Sequence, residues 1–176
     1  MQSSGNTTSL NWQWQDLQQL ALPDESQLEN IKSHLDLVWL ALEAIALVTP
    51  EDIDQAAQEL NLTSVIGDRD CQNVAEVRSL VIIICHLAKQ HQELIRRGVS
   101  LLEQVGEQHN ELHYPALLTD YAERFTKIYQ ARNHHSADLT PQSLSQLAFK
   151  LLIDLLFYSG DNGHRLLWLA ISAADN

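Results

Sequence analysis

The sequence predicts an all-α fold, a single-domain bundle of five or six helices around one long central helix. Apolar residues recur at spacings of three and four through most of the chain, which is the period of a helix with one buried face. No stretch alternates apolar and polar residues between turn signals, as a half-buried strand does. Several helical stretches also begin with Thr-Pro or with a polar cap, which are typical helix starts.

The central helix is predicted over residues 74–105. Asn73 precedes Glu76 by three residues, so its side chain can accept a first-turn N–H bond and fix the start of the helix. The apolar stripe of this helix departs from aliphatic residues only at His91 and Gly98, and we expect Gly98 to let a neighbouring helix approach closely. The stripe consists of Leu80, Ile84, Leu87, His91, Leu94, Gly98, Leu101 and Val105.

The other helices are predicted from their start signals and their apolar spacing. Thr49-Pro50 and Thr140-Pro141 each place threonine at the cap and proline in the first turn, where the missing N–H of proline costs nothing. The predicted helices cover about residues 24–48, 50–60, 115–133, 141–157 and 164–174. The first and the fourth of these are apolar nearly all round, so we expect both to be largely buried.

The chain is predicted to divide into a flexible N-terminal tail, residues 1–22, and a helical domain, residues 23–176. The tail opens with a Ser/Gly/Asn/Thr run and then becomes amphipathic. Its apolar stripe consists of Leu10, Trp14, Leu17 and Ala21. Large aromatic side chains are seldom exposed to solvent without a function. We therefore expect Trp12 and Trp14 either to pack the tail onto the domain or to dock on a partner.

Composition narrows the classes of function. The 176 residues carry a formal net charge of -12, which repels phosphate backbones and makes nucleic acid a poor candidate partner. The apolar stretches are interrupted by charges and the N-terminus has no export signal, so we expect no membrane span. Cys71 and Cys85 are expected to be free thiols, as in a cytoplasmic protein.

Residues that could carry catalysis or bind a metal are scattered. The chain has 8 histidines but no pair of Glu-x-x-His motifs, and His109 and His113 have ligand spacing without an evident third ligand. Cys85 lies in an isoleucine-rich run that would raise its pKa, and no phosphate loop or nucleophile motif is present. The sequence therefore favours a non-enzymatic protein with no cofactor and no metal.

His91 is the single residue that most suggests a specific role, because it interrupts an aliphatic stripe. Such a histidine is most often a buried, neutral residue of the core. The alternative is an axial ligand, which would make the protein a small-molecule or tetrapyrrole binding protein that uses the apolar interior near His91.

The outer face of the central helix carries a strip of polar and basic residues, and basic residues are scarce in this chain. We expect this strip to dock a protein partner, possibly an acidic one, because arginine pairs well with carboxylates. The competing interpretation is that these residues are solvated or paired with acids on neighbouring helices. The strip consists of Arg78, His86, Lys89, Gln90, Glu93, Arg96 and Arg97.

Two blocks of the chain, residues 29–45 and 76–104, resemble a family of small proteins of unknown function found in cyanobacteria. The resemblance implies an all-helical domain in a cyanobacterial cytosol, and it implies no activity and no catalytic residues. One departure is the short link at residues 63–73, where family members have a longer basic insert. The function expected from all these observations is that of a non-enzymatic protein-binding or adaptor protein.

Overall fold

The computed structural model describes residues 28–62, 73–108, 114–132 and 139–173, and within these ranges the regular elements are helices without a strand. There are seven helices in these ranges: α1 Leu28–Ala46, α2 Pro50–Glu59, α3 Val74–Gln90, α4 Gln92–Gln108, α5 Ala116–Arg132, α6 Pro141–Tyr158 and α7 Gly163–Ala173. The predicted all-α class is confirmed. The predicted tail with Trp12 and Trp14 lies outside the described residues, as does Cys71.

The prediction of one continuous central helix is wrong, because the chain breaks at His91 between α3 and α4. Residues 89–93 are all exposed or half-buried, so no packing holds them in a single helix. The backbone N–H of Ile95 donates to the carbonyl of His91 at 3.1 Å, which starts a new helical ladder. The extra helix explains why the structure exceeds the expected five or six.

The helix starts follow the predicted cap chemistry. Asn73 Oδ1 accepts the N–H of Glu76 at 3.0 Å, as the sequence predicts. At α2, the N–H of Thr49 donates to Asp52 Oδ2 at 2.6 Å, and proline follows in the first turn. At α6, the N–H of Ser143 donates to Thr140 Oγ1 at 3.1 Å. These local bonds satisfy N–H groups that no helical carbonyl can reach.

The described residues belong to two compact units, and the first contains residues 28–36, 49–62, 73–90 and 157–173. Within this unit α3 packs against α2 and against α7. Trp168 of α7 is fully enclosed. The ten buried residues of α3 are Val77, Ser79, Leu80, Val81, Ile82, Ile83, Ile84, Cys85, Leu87 and Ala88, so this helix is covered on nearly every side.

The second unit contains residues 37–48, 91–108, 114–132 and 139–156. Gly98 of α4 is buried, and a Cβ added there would lie 2.9 Å from Cδ2 of Leu152 on α6, which confirms the predicted close approach. The hydroxyl of Tyr121 on α5 donates to the carbonyl of Ala148 on α6 at 2.6 Å. These contacts tie α6 to two helices of this unit.

Polar bonds fix α5 against the C-terminal half of α1 in the second unit. Arg124 Nε donates to the carbonyl of Ala44 at 2.6 Å, which satisfies an acceptor at the end of α1. Arg132 Nη2 lies 3.1 Å from Glu43 Oε1, and both side chains are partly shielded from solvent. The orientation of α5 is therefore set by two arginines as well as by its buried stripe.

The expected burial is confirmed for α1 and only partly met by α6. Most of α1 between Ile31 and Ile45 is buried. In α6 the buried residues form an ordinary stripe at three and four spacing, whereas Ile153 is 41% exposed and Phe157 is 61% exposed. An apolar composition all round a helix thus overstated its burial, because within the described part of the chain only one side of α6 is covered.

Candidate binding groove

A groove of about 670 Å³ lies between α5 and α6 in the second unit. It is lined by Tyr114, Thr119, Ala122, Glu123, Thr126, Lys127, Pro141, Gln142, Ser145, Gln146 and Phe149. The ring centroids of Tyr114 and Phe149 lie 5.2 Å apart, and their planes are tilted by 47°. We call this aromatic pair the floor of the groove. The volume falls within the range of about 300–1,000 Å³ that is usual for ligand sites.

Four side chains that line the groove are polar and exposed. Glu123 and Lys127 of α5 and Gln142 and Gln146 of α6 are all exposed along it. Within the described residues, none of these four side chains takes part in a hydrogen bond or ion pair with the protein. Their donors and acceptors are therefore available to a bound molecule.

The two helices that form the groove are fixed to each other by a buried hydrogen bond. Tyr121 of α5 directly precedes Ala122, which lines the groove. Tyr121 is buried, and its hydroxyl donates to the carbonyl of Ala148 on α6. Burial raises the pKa of the Tyr121 phenol, so the hydroxyl stays a neutral donor in that bond. A preformed site avoids the cost of ordering its walls on binding.

The titratable groups among the described lining residues are two charged side chains and one phenol: Glu123, Lys127 and Tyr114. Glu123 and Lys127 carry opposite charges one helical turn apart, so the wall is neutral overall.

The residues of the predicted basic strip are divided between the two compact units. Its members from Arg78 to Gln90 belong to the first unit, and those from Glu93 to Arg97 belong to the second. Arg78 is half-buried, and burial lowers the pKa of its guanidinium. The docking of a partner on this strip stays a prediction.

Several strip residues are already paired, as the competing interpretation expected. Lys89 Nζ lies 3.2 Å from Asp161 Oδ1. His86 Nε2 lies 3.4 Å from Glu59 Oε1 and 3.1 Å from the amide nitrogen of Gln90. In the second unit, Arg96 and Glu93 form an ion pair of 2.6 Å within α4, and Arg97 is exposed.

His91 is half-buried, so the expectation that it is a core residue is wrong. The residue lies at the break between α3 and α4, where the chain is too polar to be enclosed. Beyond His91, the apolar stripe predicted for the central helix no longer coincides fully with the buried face of α4. Leu94 and Leu101 are only half-buried, whereas Ile95 and Val99 are buried in their place.

A polar cluster beside the start of α7 was not predicted from the sequence. Its members lie on three helices and one turn, so only the packed structure brings them together: Glu59 of α2, His86 and Lys89 of α3, Asp161 and Asn162 of the turn before α7, and His164 of α7. The Nδ1 atom of His164 and the Oδ1 atom of Asn162 are buried, and no hydrogen-bond partner for either lies among the described residues. Burial, and after it the charges of His86 and Lys89, lower the pKa of His164.

This cluster predicts a pH dependence of stability. Folded His164 has a pKa below its unfolded value near 6.5, so as pH falls through that value the unfolded chain takes up a proton that the folded chain refuses. The free energy of unfolding should therefore fall as pH drops from 7.5 to 5.5. Urea unfolding of the wild type and of His164→Gln tests this, because the variant should lose less stability over the same interval. Parallel curves would contradict it.

Three further features bear on the predicted cysteine, metal and membrane properties. Burial raises the pKa of the free Cys85 thiol, as expected for an unreactive cysteine. The described residues contain no group of three or more histidine, cysteine or acidic side chains placed to hold a metal ion. In the same ranges, no helix combines the length and the apolar character that crossing a membrane requires.

Fold and groove together define an all-helical protein with a candidate groove in which the charges of Glu123 and Lys127 are opposite. The chain belongs to a family described as "Protein of unknown function (DUF3038)", whose model matches residues 28–71 and 69–172. The resemblance to a family of unknown function is thereby confirmed. No curated protein and no solved structure matches the chain. Every residue of the groove lies inside the family match, and residues 1–27 lie outside it.

Proposed function

We propose that this protein is a non-enzymatic binding protein that holds a segment of a partner protein in the groove between α5 and α6. The observation that carries the proposal is the combination of an aromatic floor with polar walls that the fold leaves unbonded. Such a site can bury an anchoring side chain and hydrogen-bond the backbone around it.

The groove indicates the chemistry of its partner. Gln142 and Gln146 both donate and accept hydrogen bonds, which suits the N–H and C=O groups of a peptide. Tyr114 and Phe149 favour an aromatic or aliphatic anchor. The balanced charges of Glu123 and Lys127 favour a segment with little net charge. The acidic partner predicted from the basic strip has less support, since parts of that strip are paired within the protein.

A peptide-display library panned against the full chain tests the proposal. We expect enrichment of weakly charged peptides that contain an aromatic residue. Ser145→Trp fills the groove and should weaken their binding at least tenfold, whereas Ser100→Trp, on the exposed side of α4 in the same unit, should leave it unchanged. Cooperative thermal unfolding of both variants verifies that each is folded. Peptides that bind Ser145→Trp as tightly as the wild type would overturn the proposal.

The alternative of a tetrapyrrole-binding protein has less support, because half-buried His91 does not project from an enclosed apolar interior. The cyanobacterial cytosol implied by the sequence resemblance and the exclusion of nucleic acid stay predictions. The net charge of -12 supports the second of them.

A further inference from the structure

We infer that the partner segment lies in the groove between α5 and α6 as an extended chain, held by its backbone, with apolar side chains at every second residue. The inference rests on the proposed function, because it specifies the conformation and the pattern of the segment that the groove accepts. Two properties of the groove carry it: the hydrogen-bonding groups on its two sides and their spacing along the two helices.

Hydrogen-bonding groups on both sides of the groove favour an extended chain over a helix. Glu123 and Lys127 lie on α5, and Gln142 and Gln146 lie on α6. Within the described ranges, the protein engages none of these four side chains. A helical segment bonds its own N–H and C=O groups, whereas an extended segment leaves them open along both edges. An extended segment can therefore use the groups on both sides without polar side chains of its own.

The spacing of these groups matches the repeat of an extended chain. Gln142 and Gln146 are four residues apart on α6, so they are separated by about 6 Å along the helix axis. Glu123 and Lys127 have the same separation on α5. In an extended chain, the residues that bond on one edge recur at every second position, about 6.6 Å apart. One residue of the segment can thus bond Gln142 while the next but one bonds Gln146.

The charges of the groove complement a peptide backbone. The carboxylate of Glu123 accepts from an N–H group and the ammonium group of Lys127 donates to a carbonyl, and a backbone offers both groups without net charge. The amides of Gln142 and Gln146 each donate and accept, so each can bond the N–H and the C=O of a single residue. A strongly charged segment would meet one like charge on α5 and fits this groove less well.

The floor sets the apolar pattern of the segment. Successive side chains of an extended chain point to opposite sides, so every second one faces the floor. One of these, aromatic or aliphatic, packs on the rings of Tyr114 and Phe149. The small side chains of Ala122 and Ser145 also line the groove and leave room for a second one. The segment should therefore carry two apolar residues with one residue between them.

NMR on the full chain with the tightest peptide from the display library, isotope-labelled, tests the conformation. We expect the Cα chemical shifts of the bound peptide to move upfield, as in a strand, and the enriched apolar residues to stand two positions apart. Helical, downfield Cα shifts or apolar residues three or four positions apart would overturn the inference. The proposed function would stand in that case if Ser145→Trp still weakens binding. If no library peptide binds the full chain, both fail.

Substitution of the glutamines tests the backbone bonds. Gln142→Leu and Gln146→Leu should each weaken binding of the same peptide about fivefold, the usual contribution of one hydrogen bond. Gln104→Leu, at an exposed position of α4 in the same unit, should leave the affinity unchanged. N-methylation of the peptide nitrogen that bonds Gln146 should weaken binding to the wild type and add no further loss in Gln146→Leu. Wild-type affinity in both glutamine variants, or methylation losses that all persist in them, would show that the backbone is not what the groove holds.

Discussion

Gly163→Ala is expected to destabilise the protein by about 3 kcal/mol or more, the upper end of the range for overpacked sites. A Cβ at this position would lie 1.8 Å from the carbonyl oxygen of Tyr158 and 2.7 Å from its carbonyl carbon. Both atoms belong to the backbone at the end of α6, so no change of rotamer can relieve the overlap. The turn between α6 and α7 would have to open instead.

The turn has little freedom to open. The N–H of Gly160 donates to the carbonyl of Phe157 at 3.2 Å, and the N–H of Gly163 donates to the carbonyl of Gly160 at 3.1 Å. Tyr158 and Ser159 are buried, so a shift of the turn would also disturb packed side chains. The cost should therefore include lost hydrogen bonds as well as the steric overlap.

Gly160→Ala is the matched control for this prediction. A Cβ at Gly160 would meet the carbonyl oxygen of Phe157 at 3.4 Å, which is an ordinary van der Waals contact. We expect a change within about 0.5 kcal/mol, as for surface substitutions. Urea unfolding of both variants measures the difference. Equal destabilisation by the two alanines would show that the close approach at Gly163 is not what fixes the turn.

Local chemistry in the sequence predicted the helices well. The expected helix-capping hydrogen bonds are present at Asn73, Thr49 and Thr140. The starts of the three helices follow from these caps. The break at His91 was missed because three and four spacing continues through it, while the loss of burial over residues 89–93 is a tertiary fact. Periodicity reports which face could be buried, not whether another helix covers it.

The groove could not be found from the sequence for a related reason. Glu123, Lys127, Gln142 and Gln146 look like the ordinary solvated faces of two amphipathic helices, and only the packing of α5 on α6 makes them walls. Phe149 belongs to the helix that the sequence predicts to be largely buried, yet it is half-buried beside Tyr114. In the tertiary structure, polar residues predicted to be on the surface and a phenylalanine predicted to be in the core line the same groove.

Gly98→Leu is expected to destabilise the protein by about 2–3 kcal/mol, because it adds a side chain to a filled site. A Cβ alone would lie 2.9 Å from Cδ2 of Leu152, and Leu152 is fully buried, so the extra atoms have no open space. Gly98→Ala is the matched control. Alanine gains about 1 kcal/mol of helix propensity over glycine, which offsets a small displacement of the Leu152 methyl group.

A double-mutant cycle shows whether Leu152 is the cause of the cost at Gly98. Leu152→Ala alone should cost about 2–5 kcal/mol, as is usual for a large buried leucine that leaves a cavity. In the double variant the new leucine fills part of that cavity. The sum of the two single-variant destabilisations should therefore exceed the destabilisation measured for the double variant by about 1 kcal/mol or more. Denaturant unfolding of the four proteins supplies all the free energies. Simple additivity would mean that the contact between α4 and α6 does not set the limit on residue size at Gly98.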